Sequence, residues 1–598
     1  MRRVSNPAWL HRLHSAASEV SDIRSSLARS CQDWAGLPRD SVFAMQPALL
    51  CSAPLVKPVF GVSERCKHRI GSYHYKQSEA LACRHLNKLS GACIYGIHMR
   101  HANPAARRDT LAQAEERDSL LEAPQAENES PSSATREVDW LMTFLVFVFP
   151  AIGGLLFGYD IGATSGALVS ITSERTSGTD WYSLSPFLSG LVVSSSLFGA
   201  LAGSVGAFIF GDKLGRRREL MLAACLYGTS AILLYFAPNY PTLLTGRVMY
   251  GLGIGFAMHA APAYIAETAP ASVRGLLISC KEGFIVGGIL LGYLASALWV
   301  GETGGWRYMY GAALPPALIV FAGMAWLPES PRWLLLSGAT RDRAEGAVRR
   351  AWGASASDEQ AVQQEVAAML RDNPAPSSGG LGALFSKGNI RPLLVGSSLM
   401  LFQQITGQPS VLYYAAKIFK DAGFASDADA TRVSVVLGCF KLVMTGVAVA
   451  TVDKLGRRPL LLGGVTGLVL SLLALSGAQG LVKGDAATWV SVVGLLAYTA
   501  SYQVSFGPIS WLIVGEIFPL SVRGQAAAFA TFTNFGSNFL VSLALPTLQD
   551  KAGLGATYLI FAGIGVVSLA SIYLTIPETK GKTLEEIEAL WAEEDKGN

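Results

Sequence analysis

The chain has 598 residues, 51% of them hydrophobic and 15% charged, with a mean hydropathy of +0.35. Soluble domains carry nearer about a quarter charged residues, so this composition excludes an ordinary globular enzyme and implies a polytopic membrane protein. A net charge of +4 without a basic-aromatic motif excludes a nucleic-acid partner, and eight cysteines with no CxxC or metal-ligand spacing exclude a zinc site and a disulfide framework.

Residues 1–108 are rich in Arg, Ser, Ala and His and poor in acids, opening MRRVSNPAWLHRLHSAASEV. This is the composition of an organelle transit peptide, and its length and serine content favour a plastid. The plainer alternative is a cytosolic tail. Residues 109–137 are acidic with Pro and Ser, the composition of a disordered linker.

From Trp140 on, apolar runs long enough to cross about 30 Å of hydrocarbon recur. They predict spans 1 to 6 near 140–168, 186–210, 218–237, 240–266, 274–300 and 306–327, the N-terminal bundle of residues 138–327. A polar, Arg-rich segment follows at 328–389, where DEQAVQQEVAAMLRD predicts an amphipathic surface helix. Spans 7 to 12 are expected near 391–416, 430–452, 457–480, 486–514, 521–547 and 555–576, a C-terminal bundle over 390–580 with a tail at 581–598. Each span must be helical, because an open strand in lipid leaves backbone groups unpaired. The expected fold is an all-α membrane protein of twelve transmembrane helices.

The two halves repeat. GDKLGRRREL returns as VDKLGRRPLL, YIAETAPASVRG as VGEIFPLSVRG, and LPES as IPET. Glu267 and Glu516, Arg274 and Arg523, and Pro328 and Pro577 are each 249 positions apart. A constant offset indicates two pseudo-symmetric six-helix bundles with a ligand site between them near the midplane. Positive charge gathers in the 2–3 loop, the 8–9 loop and the central segment, so these and both termini share the basic side.

Span 1 contains GGLLFGYDIGATSGAL, with Asp160 in its middle. A carboxylate facing lipid there costs about 2.5–3.5 kcal/mol or more, so it must face a wet cavity, pair with a cation or bind a proton. Span 4 offers Arg247, in LLTGRVMYGLG. Gly251 and Gly255 on the same span make a close-packing GxxxG face, and His259 is expected to be a satisfied helix residue. Amides that both donate and accept, with aromatic faces, suit a sugar: Gln403, Gln404 and Tyr413 on span 7, Trp511 on span 10, and Asn534 and Asn538 on span 11. Trp511 would otherwise be an interfacial aromatic, but it follows the helix breakers Gly507 and Pro508.

From about 138 to 590 the chain resembles the sugar porter family of the major facilitator superfamily, and within it the plastid group described as D-xylose–proton symporter-like. The motifs that carry the likeness are FGYD, GDKLGRRR, YIAETAPASVRG, PESPRWLL, FQQITGQPSVLYY, VDKLGRRP, GPISWLIVGEIFPLSVRG and PETKGKTLEEIE. The resemblance implies that Asp160 and Arg247 form the proton-coupling pair; a static ion pair is the alternative. It puts Gln403, Gln404 and Trp511 at sugar-binding positions. Three departures are visible: the family's span 7 Asn falls on Pro409, its span 11 Gln on Asn534, and its span 5 Gln on Glu282. With Pro409 in place, Gln408 or Ser410 must compensate. Glu282 lies on the order of 12 Å deep from the basic side. Lys441 on span 8 is at similar depth, which predicts a Glu282–Lys441 pair across the bundles; local pairing with Lys281 is an alternative.

The resemblance further implies an ion-pair latch on the basic side, made by Asp212, Arg216, Arg217, Glu267, Arg274, Glu329 and Arg332 in the first half. Asp453, Arg457, Arg458, Glu516, Arg523 and Glu578 serve in the second. The expected function is a proton-coupled monosaccharide symporter, working as a monomer in lipid, with protons as the coupling ion and no other cofactor. A facilitative sugar exporter and a non-transporting sugar sensor are the alternatives. No phosphate-binding loop or nucleophile elbow suggests an enzyme.

Overall fold

The computed structural model describes residues 139–353, 359–371, 381–424, 426–481, 485–518, 522–582 and 586–587. The expected transit peptide, the linker and the end of the C-terminal tail lie outside the described residues. Every regular element within them is a helix, as lipid demands of a backbone that must satisfy its own N–H and C=O groups.

Spans 1 to 5 are Trp140–Thr172, Pro186–Leu214, Arg216–Tyr235, Tyr240–Thr268 and Ala271–Trp299, and span 6 is the pair Gly305–Gly311 and Leu314–Trp326. Their starts are written locally. Asp139 accepts from the N–H groups of Leu141 and Met142, Ser185 caps Leu188 ahead of Pro186, and Asn239 caps Thr242. Spans 8 and 9 are Asp427–Leu455 and Arg457–Leu481. Spans 11 and 12 share Arg523–Thr575, which turns at Gly553, where φ 81° and ψ 166° are not helical.

Two spans differ from the continuous helices expected. Span 7 is three pieces, Lys387–Ile405, Gln408–Tyr413 and Ala415–Asp421, with the first break at Gly407, φ 101°. Span 10 is Asp485–Val504 and Phe506–Ile517, broken at Ser505 rather than at Gly507 and Pro508. Among the described residues, eight helices are long and apolar enough to be recognised as spans by length and hydropathy alone. Span 3 opens on three arginines, and the long pieces of spans 7 and 10, Lys387–Ile405 and Asp485–Val504, carry too many polar residues.

Close backbone approach holds the first half together. A Cβ on Gly158 or Gly162 of span 1 would meet the carbonyls of Ile285 or Ile289 on span 5 at 1.8 and 2.2 Å. A Cβ on Gly251 of span 4 would meet the carbonyl of Ser196 on span 2 at 1.9 Å. Such contacts replace the hydrophobic effect, which gives helices no reason to associate in lipid. The halves meet along span 5, where Tyr293 packs on Gly438 of span 8 and donates to the carbonyl of Leu412 on span 7 at 2.8 Å. They meet again along span 1 and span 7, where the N–H of Ala416 donates to Ser165 Oγ at 3.0 Å.

The segment between the bundles carries the helices Pro331–Leu336, Arg341–Trp352, Glu359–Arg371 and Leu381–Leu384. Glu359–Arg371 buries Val362 and Val366, packs Leu370 against the core and turns its Gln and Glu residues outward, an amphipathic helix as DEQAVQQEVAAMLRD predicts.

Candidate functional site

Span 1 carries Asp160 past the middle of its length, where the helix faces spans 2 and 4 rather than lipid; the side chain is 2% exposed. Arg247 on span 4 is wholly buried, and its Nη1 pairs with Asp160 Oδ1. Ser196 on span 2 donates to Asp160 Oδ2 at 2.9 Å and accepts from Arg247 Nη2 at 2.9 Å. The guanidinium also donates from Nε to the carbonyl of Val192 at 3.0 Å and stands 5.1 Å from the centre of the Tyr310 ring. Thr164, one turn along span 1, reaches Asp160 Oδ1 at 3.5 Å. Spans 1, 2, 4 and 6 therefore converge on one carboxylate. Breaking a buried pair by deleting one partner typically costs about 3–5 kcal/mol, because the other charge is stranded. Neutralising Asp160 with a proton alters the same balance without deleting an atom.

The amides gather in the second half. Gln403 is the hub: its Nε2 donates to the carbonyl of Phe506 at 2.7 Å, and its Oε1 accepts from Asn534 Nδ2 at 2.7 Å and from Gln404 Nε2 at 3.2 Å. Phe506 opens the second piece of span 10, after Ser505, so this bond ties span 7 to the restart of span 10. Gln408 is buried with neither amide atom hydrogen-bonded, and the Tyr413 hydroxyl is buried and unpaired. Buried polar atoms are nearly always satisfied, so these unpaired groups stand out from the rest of the core. Asn538 accepts from Ser542 at 3.2 Å, and Trp511 is 36% exposed.

On the basic side the two halves build the same device. Arg216 meets Asp212 at 3.0 Å and Glu267 at 3.6 Å; Arg457 meets Asp453 at 3.1 Å and Glu516 at 3.1 Å. Glu329 accepts from the N–H of Arg217 at 2.9 Å, and Glu578 from those of Arg457 and Arg458 at 3.1 Å. Arg217 Nε donates to the carbonyl of Met324 and Arg458 Nη2 to that of Tyr573, tying the second arginines to spans 6 and 12. Burial pushes the Glu329 carboxyl above its usual value, against the backbone donors of Arg217 and Ser330. Arg274 turns instead to Glu365 on the surface helix Glu359–Arg371, at 3.5 Å. Arg332 is exposed and joins no ion pair among the described residues, and the Arg523 side chain lies outside them.

A model of the family described as Sugar (and other) transporter matches residues 146–591, well over half of the chain. The chain belongs to the sugar transporter family. It is 50% identical over 470 residues to D-xylose-proton symporter-like 3, chloroplastic, of Arabidopsis thaliana, covering 77% of this chain and 84% of that one. It is 37% identical over 452 residues to a D-xylose transporter of Levilactobacillus brevis, covering 75% and 95%. The inward-open xylose transporter of E. coli superposes with a TM-score of 0.63 at 32% identity, covering 75% of this chain and 100% of that one. The sugar transporter is thus a multi-pass membrane carrier of the major facilitator fold, with two six-helix bundles, and not an enzyme.

One expected contact in this sugar transporter is not formed in the structure. Glu282 pairs with its neighbour Lys281 at 3.1 Å, whereas Lys441 donates to Gln503 Oε1 at 2.6 Å and stands 5.5 Å from the Tyr502 ring. Spans 5 and 8 do meet. Glu282 is nevertheless part-exposed, with an ammonium beside it on its own helix, while Lys441 points into its own half. Sequence reasoning also passed over Ser196, Thr164 and Tyr310 around Asp160, and Gln503 beside Lys441. Serine and threonine in an apolar helix carry no signal of what they face; Gln503, a lone amide one turn from Gly507, did.

Proposed function

We propose that the chain is a proton-coupled monosaccharide symporter of the plastid envelope, working by alternating access between its two halves. The observation that carries this reading is the Asp160–Arg247 pair, an ionisable group buried in the membrane, enclosed by four spans of the first half. The amide cluster around Gln403 and the unpaired amide of Gln408 supply the sugar-binding wall in the second half. Protonation of Asp160 weakens its hold on Arg247 and lets spans 1 and 4 readjust, while sugar occupies the gap between the bundles. Ligand and proton then act by shifting a two-state equilibrium.

Relatives named as D-xylose-proton symporter-like, one of them chloroplastic, support both the coupling ion and the plastid. With the N-terminal leader read as a transit peptide, the basic loops face the stroma. A xylose-type pentose or a hexose fits the amide wall equally. The reading treats protons as the only cofactor and the monomer, in lipid, as the functional unit.

The test is sugar-dependent pH change in proteoliposomes holding the full chain, with pentoses and hexoses supplied in turn. Wild type should alkalinise the outside medium on adding sugar. Asp160→Asn should abolish proton movement and leave sugar counterflow. Sugar entry with no proton movement in wild type would instead make this a facilitator, with Asp160 and Arg247 a static lock.

A further inference from the structure

Span 3 carries a carboxylate that symport, as described so far, does not use. Glu219 is fully buried, its Oε1 lies 2.8 Å from Nδ1 of His259 on span 4, and its Oε2 has no hydrogen-bond partner. The His259 side chain is 35% exposed, so the pair joins a sealed carboxylate to an imidazole that reaches the surface. Span 2 is shaped around both. A Cβ on Gly211 would lie 2.9 Å from His259 Cε1 and 3.0 Å from Glu219 Oε2. A buried carboxylate with an open oxygen is costly as an anion unless a cation or proton compensates it. Histidine is the side chain whose charge ordinarily changes near neutrality.

The pair is placed to act on the latch. From Arg247 to His259, span 4 advances about 18 Å toward the basic side. Glu219 follows Arg216 by three residues, which puts the two side chains on neighbouring turns of one face of span 3. Arg216 thus contacts two acids, Asp212 from span 2 and Glu267 from span 4, with Glu219 one turn away on its own helix. Glu329, beyond span 6, is held by the backbone of Arg217 and Ser330.

The pseudo-symmetry supplies an internal control. At the positions matching Glu219 and His259 the second half has Leu460 and Pro508. There Arg457 sits 3.1 Å from Glu516, whereas in the first half Arg216 sits 3.6 Å from Glu267 and Glu267 also accepts from Ser330. The half with the additional acid has the longer latch contact.

We propose that Glu219 and His259 form a second proton-binding site, separate from Asp160, that sets the strength of the N-terminal latch. With the imidazole neutral, the Glu219 anion draws on Arg216 and competes with Glu267. A proton taken from basic-side water cancels that charge and leaves Arg216 to Glu267 and Asp212. Acid on the basic side therefore tightens the latch, and alkali there loosens it.

The first test needs neither sugar nor gradient. Purified full-length protein, titrated between about pH 6 and about pH 8 where an imidazole titrates, is followed by infrared difference spectroscopy. The chain's seven other histidines contribute alike to every spectrum, so the site is read as a carboxylate and imidazole component present in wild type and Asp160→Asn and lost in both Glu219→Gln and His259→Gln. Bands unchanged in both variants, or none in wild type, would overturn the site. The second test rests on the transport reading: sugar counterflow in proteoliposomes at equal pH on both sides, over the same window. Wild-type exchange should change about threefold or more and each variant less than about 1.5-fold, with Glu219→Gln within about twofold of the wild-type rate at the acid end and His259→Gln within about twofold of the wild-type rate at the alkaline end. A flat wild-type profile, variants that keep the wild-type profile, or a uniform loss at every pH would break the link to the latch. A wild type that exchanges no sugar counts against transport, and the infrared result still decides the site.

Discussion

Gln403 shows how one side chain organises a wall. It donates to the carbonyl of Phe506, where span 10 restarts, and accepts from Asn534 across the gap to span 11. Replacing it by alanine leaves a buried carbonyl and a buried amide without partners, each worth about 1–3 kcal/mol. Gln403→Ala should therefore raise the half-saturating sugar concentration for counterflow by about tenfold or more. Unchanged half-saturation would remove Gln403 from the site. Arg247 is less replaceable than a lone charge implies, because its flat guanidinium serves Asp160, Ser196 and the Val192 carbonyl at once. A lysine offers no such fork. Both residues stand out in the chain as polar types within apolar runs, but their partners among backbone carbonyls do not.

At the scale of elements, glycine decides which helices touch. The Gly158–Gly162 face of span 1 lies directly on the backbone of span 5, whereas Gly563 on span 12 has nothing within 4 Å of an added Cβ. Gly162→Ala should destabilise the detergent-purified protein by about 1–3 kcal/mol through overpacking, read as a lower thermal midpoint. Gly563→Ala should be neutral or slightly stabilising, since alanine is the better helix former. Equal midpoints for the two would contradict the packing described. Gly215 and Gly456 act differently. With φ of 87° and 95°, each turns the chain between two spans and leaves room for Glu329 or Glu578, whose Oε2 would be 2.7 or 2.8 Å from an added Cβ. The repeat GDKLGRR and VDKLGRR announced these turns in the sequence. The break at Ser505, with φ −110° and ψ −94°, was signalled by Pro508, which cannot donate to the carbonyl of Val504 and sits in the first turn of the restarted helix.

For the whole molecule, the proposed mechanism makes the latch pairs the contacts that distinguish one access state from the other. Glu516→Gln removes the charge that holds Arg457 at 3.1 Å. A loss of about 1–2 kcal/mol would shift the ratio of latched to unlatched protein by roughly 5–30-fold. Spin labels on cysteines replacing the exposed Lys213 and Lys454 should then report a longer, broader distance distribution across the basic face. A distribution identical to wild type would show that the pair does not bias the two states. The sequence alone determined the number of spans, their division into two halves and the basic side. Those follow from hydropathy summed over about 20 residues, from the internal repeat and from charge in loops, which no neighbour can alter. It also determined that Asp160 needs a partner and that Arg247 was available. Tertiary structure alone decided which polar side chains meet. Ser196 turned to Asp160, Lys441 to Gln503 rather than Glu282, and Glu219 to His259. Each of these contacts depends on the rotation of one helix about its axis, which is set by packing against several others and leaves no trace in any single run of residues.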